Sequence, residues 1–360
     1  MRVYNFAAGP ATLPLPVLLR AQAELVEHGK NGMSVMEMTH RSPMFKSIID
    51  GAEASLRRLM DIPEEYAVLF LQGGATTQFA AVPMNLMHTN KADYIVSGSF
   101  AGKAAQEGAK YGAARVVKSS KDRNFAYVPK TVRADFDPAA DYLHITTNNT
   151  IYGTSFRTDL PDCGEIPLVA DMSSNILSEP YDVRRFGLIY AGAQKNIGPA
   201  GVTLVILRKD LAEKGPIADF VPGMLRYDIQ VKDGSMYNTP PTYAIYLAGL
   251  VFDELEQTGG VAAAKARNEA KAKLLYDVLD ASSFYRPVAD QEDRSIMNVT
   301  FTTPDPDTDA RFVKEAAAKG RVNLKGHRAA GGIRASIYNA MTLEGVCALC
   351  EFMRDFEKNA

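Results

Sequence analysis

An α/β chain with a mainly parallel sheet, followed by a smaller α+β region, is the fold class that this sequence predicts, on three observations. Six short apolar runs at 67–71, 94–96, 142–146, 168–170, 188–191 and 202–207 lack alternation, as strands covered on both faces do. Helix-compatible stretches such as 79–87 and 102–111 separate them, the arrangement of successive βα units. After Tyr243 the composition shifts to a run rich in Ala, Glu, Lys and Leu that reaches about Leu279 and is interrupted at Gly259-Gly260, which reads as helical material.

Taken in order, the run 67–71 passes through Leu71-Gln-Gly-Gly-Ala-Thr-Thr-Gln78 into a helix expected to open at Phe79. The run 168–170 ends directly on Asp171, and the runs 188–191 and 202–207 bracket a short polar turn with Lys195 at its tip. Two later strands, near 296–301 and 333–336, flank a helix at 311–319 and precede a last helix over 342–356. This places a large cofactor-binding domain at 1–254 and a small C-terminal domain at 255–360, with the N-terminal segment free to pack on the latter.

At 360 residues the chain has room for about two domains of ~150 residues with a cleft between them. Charged residues at 23% and hydrophobic ones at 46% are the balance of an ordinary globular enzyme. A formal net charge of -2 gives no overall field for nucleic acid or an anionic membrane, so any bound anion must be held locally. No apolar run approaches the roughly 20 residues of a bilayer span, and residues 1–16 carry no leader pattern, so the expected location is the cytoplasm. The three cysteines cannot form a disulfide framework. Cys347 and Cys350 form a C-x-x-C on helical sequence with no second Cys or His pair, and are read as buried thiols, with no metal site expected.

Chemistry concentrates in four places. Lys195 stands between two buried strands, where desolvation lowers an amine toward the nucleophilic free base that Schiff-base formation needs; read alone, a solvated loop lysine fits equally well. Asp171 stands at the C-terminal end of a buried strand, where open α/β sheets bind ligands. In a pyridoxal-phosphate enzyme such a carboxylate keeps the pyridine nitrogen protonated; an N-cap Asp is the plainer alternative. Gln72 to Gln78 offers glycines, free amides and the hydroxyls of Thr76 and Thr77 to a phosphate at a helix N-terminus, or is simply a tight connection. His40-Arg41 and His327-Arg328 with Arg334 are basic groups suited to a substrate with several negative charges, though arginines beside glycines are also common surface features.

With these segments in hand, the sequence closely resembles the phosphoserine aminotransferase family, within the class V branch of fold-type I pyridoxal-phosphate-dependent transferases. The likeness runs nearly end to end, through Asn5-Phe-Ala-Ala-Gly-Pro10, Met38-Thr-His-Arg-Ser42, Gly73-Gly-Ala-Thr-Thr-Gln-Phe79, Asn148-Asn-Thr-Ile-Tyr-Gly-Thr154, Asp171-Met-Ser-Ser174, Gly192-Ala-Gln-Lys-Asn-Ile-Gly-Pro199, Tyr237-Asn-Thr-Pro-Pro-Thr242 and Gly326-His-Arg through Ser336-Ile-Tyr-Asn339. The resemblance implies reversible amino transfer between L-glutamate and 3-phosphohydroxypyruvate, giving 2-oxoglutarate and O-phospho-L-serine in serine biosynthesis. It leaves open a longer phosphorylated keto acid on the route to pyridoxine.

Carried over residue by residue, the resemblance makes Lys195 the carrier of pyridoxal 5'-phosphate and the proton shuttle, and Asp171 the partner of the ring nitrogen. It gives Ala75, Thr76 and Gln194 to the cofactor phosphate, joined by Asn238 and Thr239 from the partner subunit of a homodimer, and Thr150 to the ring hydroxyl. It gives Arg334 to the substrate α-carboxylate, leaving His40, Arg41, His327 and Arg328 for the distal phosphate or the glutamate γ-carboxylate. Many relatives stack Trp on the ring and place Arg in the phosphate cup, whereas this chain has no Trp and offers Phe100 and Thr76. Phe still stacks, with less area and no N–H donor.

Three other readings compete. A cysteine desulfurase needs a cysteine on a mobile loop, and the late cysteines here lie on helical sequence. An alanine–glyoxylate type of aminotransferase has no use for His327-Arg328. A cofactor-binding protein without turnover needs no lysine and carboxylate together.

Overall fold

The computed structural model describes residues 2–157 and 159–359. Seven strands form the central sheet: β1 (Tyr66–Leu71), β2 (Lys91–Val96), β3 (Ala113–Ser119), β4 (Leu143–Thr146), β5 (Leu168–Asp171), β6 (Leu188–Gly192) and β7 (Thr203–Arg208). Their spatial order is β1-β7-β6-β5-β4-β2-β3. All of β1, β4, β5 and β6 is buried, which is why these segments carry apolar residues at consecutive positions rather than at every second one.

Pairing is parallel except at β7, which runs antiparallel to both β6 and β1. The reason is local, since only the residues 193–202 separate β6 from β7, too few for the crossover of a dozen or more that a parallel connection needs. The β6–β7 turn therefore stays at the same edge where β4 and β5 end. Edge strand β3 escapes an apolar-run reading because Arg115 and Lys118 interrupt it and most of its residues are exposed.

Helices cover both faces. The helix α1 (Pro43–Met60) is capped by Ser42, whose hydroxyl accepts from the Phe45 amide at 3.2 Å, and it buries Phe45, Ile49 and Leu56. On the other face, α2 (Gly74–Leu86) and α3 (Ser99–Gly108) pack over Tyr94, Val169 and Tyr190. Each fully buried aliphatic or aromatic side chain of these layers contributes about 1.5–3 kcal/mol, so a charged residue at Ile189 or Val205 would dismantle the sheet.

The helical run after Tyr243 is two helices, α4 (Thr242–Gln257) and α5 (Gly260–Asp280). Gly259 and Gly260 have φ of 95° and 68°, a left-handed conformation that glycine adopts without steric cost. A second, antiparallel sheet joins β8 (Arg286–Pro287), β9 (Asn298–Thr302) and β10 (Ile333–Ser336), with Thr300 opposite Arg334. It packs with α5, α6 (Pro306–Ala318) and α7 (Leu343–Lys358) around Phe301, Phe312, Phe352 and Phe356. Phe6 enters this same cluster, and Tyr4–Asn5 pairs in parallel with Arg321–Val322. On α7, Cys350 is buried and Cys347 half-buried. Among the described residues no group of three His, Cys, Asp or Glu is arranged to hold a metal, and no helix is long and apolar enough to cross a membrane.

Candidate active site

The parallel strands deliver their C-terminal ends to one edge, with Thr146 of β4 opposite Asp171 of β5 and Asp171 opposite Tyr190 of β6. Above that edge lies a cavity of about 280 Å³, just below the roughly 300–1,000 Å³ usual for ligand sites. Asp171 and Lys195 both line it, with Phe100, Thr150, Gln194 and Arg334. The carboxylate reaches this space from β5 and the lysine from the β6–β7 turn.

Asp171 is buried, and its Oδ1 accepts the Ser173 amide at 2.9 Å. Burial pushes its carboxyl upward, opposed by hydrogen bonds from Ser173 and by the nearby Lys195. Lys195 Nζ donates to Thr150 Oγ1 at 2.9 Å and sits 5.8 Å from the Phe100 ring centre. Burial lowers this amine to about 8; the Asp171 charge resists the shift and the Arg334 charge adds to it. Near neutral pH a useful fraction of Lys195 is therefore the unprotonated nucleophile.

The helix α2 begins at Gly74, earlier than the sequence suggests, because Gly73 takes a φ of 93°. Ala75 and Thr76 consequently occupy the first turn, whose amides lack intrahelical partners and favour an anion. Gly74, Ala75 and Thr76 line the cavity, whereas Thr77 does not: its hydroxyl donates back to the Gly73 carbonyl at 2.8 Å. A side chain at 73 would also meet Thr77 Oγ1 at 2.1 Å.

Across the cavity, Arg334 of β10 is half-buried and its Nη1 donates to the Thr150 carbonyl at 3.4 Å. Burial lowers its affinity for the proton, and among the described residues no carboxylate pairs with it. A half-buried guanidinium aimed at an open space is a ready partner for an incoming carboxylate. His327 also lines the space, held below the usual imidazole range by burial and then by Arg334, Arg328 and Lys103.

Four of the basic and polar residues singled out in the sequence, together with Arg328, lie outside this cavity in a single chain. His40 is buried, with Nε2 lacking a hydrogen-bond partner among the described residues, and Arg41 is exposed. Arg328 is exposed beside His327. Asn238 and Thr239 are exposed on the segment before α4. They stay close to the α2 N-terminus, since Asn238 shares a neighbouring cleft with Gly73 and Gln72 Nε2 donates to the Thr239 carbonyl at 3.0 Å.

Other residues of the site carried no individual signal in the sequence. Ser173 holds Asp171 in place, and Ser174 donates to the Asn148 carbonyl at 2.7 Å. The Thr146 hydroxyl is buried without a partner among the described residues. Gly9 lines the cavity with φ of 142°, and a Cβ there would point at the Lys195 stem, 3.5 Å from its Cγ. Only the small-residue run Ala7-Ala-Gly9 hints at that close approach.

Residues 3–349 match the family model Aminotransferase class-V. A phosphoserine aminotransferase of Listeria innocua is 54% identical over 357 residues, which is 99% of this chain and 96% of the relative. The chain belongs to the phosphoserine aminotransferases, within class V. Its fold superposes on the phosphoserine aminotransferase of Bacillus circulans subsp. alkalophilus with a TM-score of 0.96 at 46% identity, covering 99% of both chains. The phosphoserine aminotransferase of Trichomonas vaginalis, solved with PLP bound, matches with a TM-score of 0.93 at 40% identity, covering 98% of this chain and 100% of that one.

Proposed function

We infer that this protein is an aminotransferase that moves the amino group reversibly between L-glutamate and 3-phosphohydroxypyruvate, giving 2-oxoglutarate and O-phospho-L-serine, with pyridoxal 5'-phosphate in the cavity. One observation carries the reading: a depressed lysine from the β6–β7 turn and a buried carboxylate from β5 line the same small space, with an uncompensated guanidinium across from them.

The residues fit that cofactor. Asp171 is a buried carboxylate with one amide donor, suited to a cationic ring nitrogen. Lys195 is an amine freed of part of its proton affinity. The first turn of α2 offers amides to a phosphate. When bound, the cofactor supplies an electron sink for the charge that develops at the substrate α-carbon.

In this reading Asp171 would keep the ring nitrogen protonated, Phe100 would lie against the ring, and Thr150 would meet its hydroxyl. Ala75, Thr76 and Gln194 would hold the phosphate. Lys195 carries the cofactor and then moves a proton to and from the substrate α-carbon. Arg334 binds the α-carboxylate through paired N–H bonds, which orients the α-proton toward Lys195. His327 and Arg328 with His40 and Arg41 take the distal phosphate or the γ-carboxylate.

The same reading includes a homodimer in the cytoplasm, with Asn238 and Thr239 completing the partner's phosphate site. Their exposure beside the α2 N-terminus supports it, as do the exposed Phe220, Met224 and Tyr237 on the same stretch of chain. It also divides the chain into a large domain, 1–254, and a small one, 255–360, that takes in the N-terminal strand; the Tyr4–Asn5 pairing and the place of Phe6 support this. The test is a coupled assay of the purified protein with glutamate and 3-phosphohydroxypyruvate, beside the same acceptor without its phosphate and the longer phosphorylated keto acid of pyridoxine synthesis. Equal rates for the acceptors with and without phosphate would overturn the role of the basic cluster.

A further inference from the structure

One buried charge lies outside this chemistry. Lys271 on α5 is only 2% exposed, and its ammonium donates to three backbone carbonyls, those of Ile337 at 3.0 Å, Tyr338 at 2.7 Å and Met341 at 3.0 Å. Among the described residues no carboxylate accompanies it. Burial, helped by the nearby Arg267 charge, pushes this amine down to about 7. Yet three simultaneous donors require the ammonium, because a neutral amine has only two N–H bonds. The three carbonyls thus form a cage for a small monovalent cation, filled by the chain's own side chain.

The caged turn leads to both walls of the active site. It follows directly from β10, which carries Arg334. Tyr338 OH donates to the carbonyl of Ala8, a residue of the cavity wall, at 2.8 Å. The Asn339 amide donates at 3.0 Å to the side chain of Asn196, the neighbour of Lys195, while Asn339 Nδ2 donates to the Leu177 carbonyl at 2.8 Å. Asn268, one turn before Lys271, braces Asn339 Oδ1 at 2.8 Å. Without the cation, three inward-facing carbonyls would repel one another, and the turn would relax.

We propose that Lys271 is a positioning residue for amino transfer, its caged ammonium fixing the 337–341 turn that ties the Arg334 strand to the Lys195 turn. The proposal rests on the functional reading above. Its consequence is a loss of substrate registration with the cofactor still in place.

The test uses the holoenzyme with Lys271→Ala, and Lys271→Met should the smaller side chain prevent folding. The expected result is a KM for glutamate raised about tenfold with kcat within roughly threefold, and an unchanged absorbance of bound cofactor. Ammonium or methylammonium should restore KM in Lys271→Ala, and tetramethylammonium at equal ionic strength should not, being too large for the cage. The cofactor-free variant should show the same cation selectivity in its Tm, which reads the cage without reference to activity. A KM equal to wild type, or a loss that no small cation recovers, overturns the proposal. Failure of the wild type to use glutamate would instead refute the functional reading, leaving the Tm selectivity to decide on the cage.

Discussion

Arg334 offers the sharpest quantitative expectation. Its guanidinium is half-buried, donates only a long bond to the Thr150 carbonyl, and has no acidic partner among the described residues. An incoming α-carboxylate would therefore gain nearly the whole strength of a desolvated, two-pronged ion pair. Truncating one partner of such a pair costs about 2–5 kcal/mol, so Arg334→Gln should lower kcat/KM for glutamate by roughly 30- to several-thousand-fold. Arg334→Lys keeps the charge and loses the fork, and should retain part of the activity. The assay is single-turnover conversion of the bound cofactor by glutamate, followed by absorbance, beside an amine donor that lacks the α-carboxylate. With that second donor, the wild type and Arg334→Gln should converge. An equally large loss with both donors would mean that the mutation harms the site generally, and the carboxylate assignment would fall.

Three further outcomes follow from the same geometry. Asp171→Asn removes the buried charge held by Ser173, and as the loss of one member of a buried pair, about 3–5 kcal/mol, it should slow conversion of bound cofactor by at least about a hundredfold in the same assay. In the cofactor-free protein, burial holds Lys195 at about 8 against an ordinary value of 10.5. A lysine whose folded-state pKa is depressed destabilises the fold below that pKa, and the penalty fades as pH rises from about 8 to 10.5. Lys195→Met should therefore stabilise the cofactor-free protein at pH 7 by no more than about 3 kcal/mol given the residue's partial exposure, seen as a higher Tm, and the advantage over wild type should shrink by pH 10; a variant with lower Tm at pH 7 would contradict the burial argument. Finally, Thr76 sits exposed in the first turn of α2, so Thr76→Arg should slow loss of the cofactor in dialysis, and unchanged retention would show that the amides already suffice.

The sequence made the sheet legible because full burial writes itself as unbroken apolar runs, as in 67–71 and 188–191. It concealed β3, whose edge position lets Arg115 and Lys118 stand among its residues, and the reversal of β7, which chain length rather than residue type imposes. At the site, Lys195 and Asp171 were visible as polar residues ending apolar strands, and the cavity does bring their side chains to one space. Thr77 was misleading, since a hydroxyl near glycine reads as a phosphate ligand although its proton is turned back to Gly73. Gly9 and Ser173 act through a dihedral angle and a backbone amide, neither of which leaves a mark in composition. Asn238 and Thr239 owe their proposed roles to a second subunit, so a single chain does not gather them, and His40 and Arg41 likewise lie outside the cavity of the single chain.

The account turns on Lys195 as the amine that carries the cofactor and moves the α-proton. Its most direct test is Lys195→Ala loaded with pyridoxal 5'-phosphate and mixed with glutamate, the absorbance of the bound cofactor being followed alongside wild type. The variant should bind the cofactor and leave it essentially unconverted on the timescale in which wild type turns it into the amine form. Conversion by Lys195→Ala at the wild-type rate would contradict the account.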